Sequence, residues 1–200
     1  MYNLGMGSSL TPNRLAEFLS AMTRLPLVAT VLFPVVGAAV GGWAGLSWGL
    51  LCVFLTSGLS LVYLYRLVRS GRIRDAGAIS RSERVGPLRM VAILYVLSFL
   101  VLTFLGGPVE LRAMLLSFAG ATILFVFLTP FTNPSLHTAG ISGTAICVSY
   151  IFGAWGVPVA LAILPVWWAR SLLDRHTPLE LALGMLVGTG ATYLVFEMLL

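Results

Sequence analysis

The chain lacks lysine and is poor in charge. All twelve basic side chains are arginine, and charged residues make up 10% of the 200 positions, whereas soluble domains carry about 25%. With 58% hydrophobic residues and a mean hydropathy of +0.98, this composition excludes an ordinary soluble domain and indicates an integral membrane protein. Aromatic residues lie in apolar runs rather than beside the arginines, so no nucleic-acid partner is expected. Guanidinium binds phosphate through a fixed fork of donors, which favours lipid phosphate in the bilayer.

Cysteine is also scarce. Cys52 and Cys147 lie far apart inside apolar runs, so we interpret them as small buried hydrophobic residues rather than as a disulfide or metal ligands. The carboxylates form no cluster along the chain that would suit magnesium.

Apolar runs of about 20 residues, the length of a membrane-crossing helix, fill most of the sequence. They lie near 25–45, 47–67, 88–106, 109–129, 137–153, 156–170 and 178–199. These runs predict an all-α integral membrane helical bundle of about seven transmembrane helices, in a single domain over 25–200. Six is the alternative, because glycines 37, 41 and 45 mark only a weak break and also suit close helix packing. The polar stretch 1–24 predicts an N-terminal interfacial segment rather than a cleavable signal peptide.

Polar residues concentrate in three segments. The loop 66–89 holds seven arginines, 129–140 holds His137, and 169–180 holds His176. Two predicted spans separate each segment from the next, and an even number of crossings returns the chain to the same side. All three segments are therefore expected on one membrane face.

The two histidines each begin an apolar helix on that face. Ionisable groups at membrane depth are costly and suggest function, although a histidine can also snorkel to the interface or cap a helix. Glu180 follows His176 by four residues, so its carboxylate could fix the imidazole tautomer and leave the other ring nitrogen as a nucleophile. The alternative is a capping box, with Thr177 as N-cap and Glu180 closing it. Both roles stay open from the sequence.

Arginines supply candidate phosphate ligands. Arg74, Arg81 and Arg170 could surround a tetrahedral dianion, because each guanidinium donates paired hydrogen bonds. The other loop arginines are interpreted as anchors to anionic headgroups, with at most one of them entering the site; they are Arg66, Arg69, Arg72, Arg84 and Arg89. Ser135 adds a hydroxyl beside a helix N-terminus, whose free amides attract phosphate.

These residues resemble the phosphatidic acid phosphatase type 2 superfamily, which shares its site with vanadium haloperoxidases. The family's motifs are Lys, six residues, Arg-Pro; then Pro-Ser-Gly-His; then Ser-Arg, five residues, His, three residues, Asp. The matching stretches, in the same order and internal spacing, are "RDAGAISRS" from Arg74, "PSLH" at 134–137 and "ARSLLDRHTPLE" at 169–180. The departures are Arg74 for Lys, Ser82 for Pro, Leu136 for Gly, Ala169 for Ser and Glu180 for Asp.

The resemblance implies a membrane phosphatase acting on a lipid phosphate monoester or an isoprenoid (polyprenyl) diphosphate. His176 would be the nucleophile that forms a phosphohistidine, Glu180 would orient it, and His137 would be the acid and base. The phosphate-binding set would be Arg74, Arg81, Arg170, Ser135 and the amide of Leu136. No metal or other cofactor is implied. The alternative is a catalytically inactive, family-like protein that binds phospholipid or scaffolds partners. The departures from the family motifs at Leu136 and Arg74 favour this alternative.

Orientation follows from the arginines that no motif uses. Apart from Arg74, Arg81 and Arg170, the face with the three polar segments carries eight of the nine others, all but Arg112. The positive-inside rule favours the cytoplasm for that face, whereas the family mostly has its site on the other side. The orientation therefore stays open, with a slight preference for a cytoplasmic site. The resemblance itself implies a prokaryotic protein, which we expect in the plasma membrane. A small transporter is disfavoured, because the polar groups cluster at span ends instead of mid-membrane.

Overall fold

Helices form the secondary structure of this protein. The computed structural model describes residues 11–73, 79 and 81–200, with Arg81 and Ser82 described by their backbone alone. The helices are α1 (Pro12–Met22), α2 (Leu25–Val53), α3 (Leu59–Arg69), α4 (Arg81–Phe104), α5 (Val109–Leu128), α6 (Leu136–Phe152), α7 (Gly156–Leu161), α8 (Ile163–Leu172) and α9 (Pro178–Leu199). A π-helical turn joins α2 to α3 and a 3-10 turn joins α6 to α7. The all-α prediction is thus confirmed over this part of the chain.

Within the described part of the chain, five continuous helical stretches are long and apolar enough to cross a membrane, as in an integral membrane protein. They are Leu25–Arg69, Glu83–Phe104, Val109–Leu128, Leu136–Leu172 and Pro178–Leu199. The number therefore differs from the seven or six predicted from apolar runs. The first and fourth stretches contain 45 and 37 residues, and each joins two of the predicted runs.

The first long stretch turns back on itself inside α2. Gly41 has non-helical dihedral angles and Gly42 has φ +55°, a conformation that a residue without Cβ adopts readily. On either side of this turn, a Cβ on Gly37 would overlap the backbone of Gly45. The two halves of α2 therefore pack backbone to backbone as an antiparallel hairpin.

The fourth stretch also turns back, at the 3-10 turn between α6 and α7. Gly153 there has φ +61°. A Cβ on Gly156 would overlap Ser149, so α7 leaves the turn directly against the end of α6. The polypeptide then runs back through α8, which contacts α6.

Close packing of α6 against α9 brings two helix N-termini together. A Cβ on Gly184 would overlap the carbonyl oxygen of Ser135, and a Cβ on Gly188 would overlap that of Ala139. Thr138 Oγ1 donates to the carbonyl oxygen of Leu181 at 2.9 Å. The glycines thus let the first turns of α6 and α9 lie side by side, and each of these turns carries or follows a histidine.

The apolar core lies mainly among α2, α4, α5, α6 and α9. Phe118 at its centre makes edge-to-face ring contacts with Phe33 and Tyr95, at centroid distances of 5.8 and 5.6 Å. Helix α1 lies outside this core and packs against α8. It falls within the stretch 1–24 that was predicted as an interfacial segment.

Candidate functional site

The candidate site lies where five helix ends meet. The loop 129–135 before α6 and the loop 173–177 before α9 adjoin it, together with the first turn of α4, the last turn of α8 and the end of α1. The side chains gathered there are Ser20, Arg84, Asn133, His137, Arg170, His176 and Glu180. Both histidines predicted for the site are among them.

His176 is held in one tautomer by a backbone carbonyl. Its Nδ1 lies 3.0 Å from the carbonyl oxygen of Asn133, and because a carbonyl can only accept, Nδ1 carries the proton. The side chain is 4% exposed. The other ring nitrogen, Nε2, is then left with its lone pair, which is the form a nucleophile needs.

The surroundings also keep His176 uncharged. Burial, together with the positive charges of Arg170 and Arg84, lowers its pKa from 6.5 to about 4, against the opposing effects of Glu180 and the Asn133 carbonyl. At neutral pH the imidazole is therefore neutral.

The Glu180 carboxylate accepts hydrogen bonds from the backbone amides of Thr177 and Asn133 and lies near His176. Its Oε2 accepts from the Thr177 amide at 2.9 Å while Thr177 Oγ1 accepts from the Glu180 amide at 3.3 Å, which is the capping box that the sequence left open. Its Oε1 accepts from the Asn133 amide at 3.2 Å. The same carboxylate lies 3.6 Å from His176 Nδ1, so the nearer Asn133 carbonyl makes the hydrogen bond and Glu180 supplies negative charge beside it.

Arg84 is a site residue that the sequence analysis assigned to the headgroup anchors. Its Nη1 donates to Asn133 Oδ1 and its Nη2 donates to the Pro134 carbonyl oxygen, the latter at 3.3 Å. One signal could have separated it from the other anchors. It lies three residues after Arg81 at the start of α4, a spacing that puts two side chains on one face of a helix.

Two predicted phosphate ligands cannot be placed. Arg74 lies outside the described residues, and of Arg81 only the backbone, at the start of α4, is described. Their roles stay predictions.

His137 and Arg170 meet at the end of α1. His137 Nε2 lies 3.1 Å from the carbonyl oxygen of Ser20, and Arg170 Nη1 donates to the hydroxyl oxygen of the same serine at 2.7 Å. The Nε atom of Arg170 is buried without a hydrogen-bond partner among the described residues. A guanidinium with a spare buried donor is suited to an anionic ligand.

Ser135 and Leu136 have mainly structural contacts. Ser135 is buried, and its Oγ caps α6 by accepting from the Thr138 amide at 3.4 Å. Its own amide donates to the Glu180 carbonyl oxygen at 3.0 Å. Leu136 packs into a small apolar cluster that includes Leu88 and Phe125. The Ser135 hydroxyl is therefore engaged by its own helix, and the Leu136 side chain points into apolar surroundings.

An open depression of about 390 Å³ adjoins His176 and Glu180. The remaining lining residues are Ser171, Asp174, Arg175, Thr177 and Pro178. Asp174 turns the chain here with φ +48°. Among the described residues, no group of three or more histidine, cysteine or acidic side chains could hold a metal ion.

Comparison with known proteins finds no relative: no protein-family model, no curated protein and no solved structure matches the chain.

Proposed function

We propose that this protein is a metal-independent integral membrane phosphatase, similar to the phosphatidic acid phosphatase type 2 superfamily. Its substrate class would be a lipid phosphate monoester or a polyprenyl diphosphate presented at the membrane surface. The observation that carries the proposal is the state of His176: Nδ1 donates to Asn133, the ring is neutral, and two guanidiniums, Arg84 and Arg170, are close enough to lower its pKa.

The first step is attack of His176 Nε2 on phosphorus. A bond from nitrogen to phosphorus forms as the bond from phosphorus to the lipid oxygen breaks. His137 acts here as an imidazolium, protonated on both ring nitrogens, which gives its Nε2 proton to the leaving oxygen and becomes a neutral imidazole. Arg84 and Arg170, with the predicted Arg74 and Arg81, stabilise the negative charge on the equatorial oxygens. Asn133 holds the developing positive charge of the imidazolium in place through its carbonyl, and Glu180 lies beside it.

The second step removes the phosphate from the histidine. His137, now without its proton, takes one from water, whose oxygen attacks phosphorus. The bond from nitrogen to phosphorus breaks, inorganic phosphate leaves and His176 returns to its starting tautomer. No metal takes part in either step.

The proposed topology has seven membrane crossings. The turns at Gly42 and Gly153 divide the two longest apolar stretches into antiparallel halves, which supports counting each as two spans. All loops of the site then lie on one face, and the excess of arginine there favours the cytoplasm. We place the protein in a prokaryotic plasma membrane.

The test is phosphate release by detergent-purified protein from a panel of lipid phosphates with EDTA present. Wild type should release phosphate from at least one substrate, and orthovanadate should inhibit because it takes up the trigonal bipyramidal geometry of the transition state. A wild type inert on every phosphatidate, phosphatidylglycerophosphate and polyprenyl diphosphate tested would refute the proposal.

A second candidate function is binding of phospholipid without turnover. The inward-turned Ser135 hydroxyl and the apolar contacts of Leu136 favour it, since both residues stand in the phosphate-binding motif. Saturable binding of these lipids without phosphate release would identify this function.

A further inference from the structure

Ser20 contacts both groups that the proposed reaction needs free. Its carbonyl oxygen accepts from His137 Nε2 and its hydroxyl oxygen accepts from Arg170 Nη1, at 3.1 and 2.7 Å. In the proposed reaction His137 Nε2 protonates the leaving oxygen and Arg170 binds phosphate. In this structure both groups form hydrogen bonds with Ser20 instead. A leaving oxygen and a phosphate oxygen would need the places that these two serine oxygens occupy.

Helix α1, which carries Ser20, is attached by one face. Ala16 and Ser20 are four residues apart and share that face; Ala16 is fully buried where α1 packs on α8. The other side of the helix exposes Leu15, Phe18 and Met22. Small side chains therefore hold α1 on the site, while its large apolar side chains face outward.

We propose that α1 is a lid whose Ser20 stands in for two substrate oxygens when the site is closed. This inference rests on the proposed function, because it takes His137 and Arg170 as groups that must reach substrate. Substrate displaces Ser20 by moving α1 away from α8 about the connection at Thr23 and Arg24. The apolar side chains Leu15, Phe18 and Met22 give the displaced helix a stable place at the membrane interface.

Access to His137 tests the lid without relying on catalysis. Diethylpyrocarbonate modifies accessible neutral imidazoles, and the chain contains only two histidines, so peptide mass spectrometry reads each one separately. The protein is labelled in phosphatidylcholine nanodiscs. Ala16→Arg places a long charged side chain where Ala16 is fully buried, and so undocks α1; Asn13→Arg adds the same charge at an exposed position of the same helix.

The lid predicts that His137 is labelled roughly tenfold faster in Ala16→Arg than in wild type, and at the wild-type rate in Asn13→Arg. His176 is bonded to Asn133 and not to α1, so it should keep its wild-type rate in all three proteins. An unchanged or slower His137 rate in Ala16→Arg with His176 protected would show that α1 does not cover the site.

Ser20→Ala is a second test with a smaller structural change. It shows whether α1 covers His137 even if Ala16→Arg misfolds and exposes His176. It removes the hydroxyl that accepts from Arg170 and keeps the carbonyl, so we expect His137 labelling to rise by a factor of about 3 to 10, as for the net loss of one ordinary hydrogen bond. No rise would overturn the lid.

Activity separates the lid from the phosphatase itself. If wild type releases phosphate, Ala16→Arg should raise kcat/KM whereas Asn13→Arg should not. Faster His137 labelling in a protein that hydrolyses no substrate would support the lid and refute the phosphatase. Phosphate release with unchanged His137 labelling would refute the lid alone.

Discussion

The two histidines of the site are held in opposite ways. His176 donates to the carbonyl of Asn133, whose amide in turn donates to Glu180, so its partners belong to the loop before α6 and the first turn of α9. His137 donates instead to Ser20, on the separate helix α1. The proposed nucleophile is thus held by the loop and helix that surround it, whereas the proposed acid and base group is bonded to the helix that we propose as a lid. The difference means that the two histidines can be studied as separate steps.

The largest effect should come from replacing the fixed histidine. His176→Ala removes the atom that bonds to phosphorus, so we expect a loss of at least about a thousandfold in kcat and no phosphohistidine. His137→Ala should lose roughly a hundredfold or more yet still form phosphohistidine from an aryl phosphate, whose acidic leaving group needs no proton. Alkaline quenching with radiolabelled substrate measures the intermediate. Its appearance in His176→Ala would reverse the assignment of the two histidines.

Substitution of Arg84 tests whether the hydrogen-bonded residues around His176 also bind substrate. Arg84→Ala removes the donor to Asn133 and Pro134, so we expect kcat/KM to fall by about 10 to 100 fold. Arg89→Ala is the matched control, because Arg89 is an exposed arginine of the same helix, and it should change kcat/KM less than about twofold. Equal losses in the two variants would show that Arg84 is one more headgroup anchor. Steady-state kinetics in mixed micelles measures both.

The close packing of α6 against α9 is tested by alanine substitutions at two glycines of α9, Gly184 and Gly190. Gly184→Ala would push a methyl group into the carbonyl of Ser135, so we expect a loss of about 1 to 3 kcal/mol in the free energy of unfolding. Gly190→Ala, in the same helix with no atom near the added methyl group, should stabilise by about 0.5 to 1 kcal/mol. Thermal unfolding in detergent compares the two. A Gly184→Ala protein as stable as wild type would contradict the close contact.

The smallest effect is a shift in pH dependence. His176 attacks only when neutral, and its pKa is lowered from 6.5 to about 4. With an aryl phosphate, whose leaving group needs no proton from His137, the rate of phosphohistidine formation should therefore stay level from pH 7 to 5 and fall to half near pH 4. In Arg84→Ala one positive charge is gone, so the pKa of His176 rises and the half-point moves to higher pH. Single-turnover rates across pH measure this, and a half-point at 6.5 in wild type would exclude the buried, neutral His176.

The helical, apolar character of the fold was predictable because it depends on composition and on runs of about 20 residues. The number of continuous spans was not. The apolar runs do divide near Gly42 and Gly153, but at both positions the chain reverses within a few residues, so no loop interrupts the helical stretches Leu25–Arg69 and Leu136–Leu172. In contrast, the capping box of Thr177 and Glu180, one of the two roles left open for Glu180, was recognisable in the sequence because its residues are three apart.

The remaining site contacts are long-range. Arg84 carries the same side chain as its neighbours in the arginine-rich loop. Its spacing from Arg81 is a weak local signal, and its contacts with Asn133 and Pro134, 49 and 50 residues away, are what place it in the site. Ser20 gave no signal at all, since its partners His137 and Arg170 are 117 and 150 residues away. A single sequence does not encode such pairings in any local pattern.

The shortness of α6 has a consequence for the bilayer itself. Its 17 residues rise about 25 Å, whereas the hydrocarbon core of a typical bilayer is about 30 Å thick. Such a hydrophobic mismatch is relieved by local thinning of the lipid. We expect lipid headgroups beside α6 to sit deeper than elsewhere, which brings their phosphates down toward His137 at its first turn.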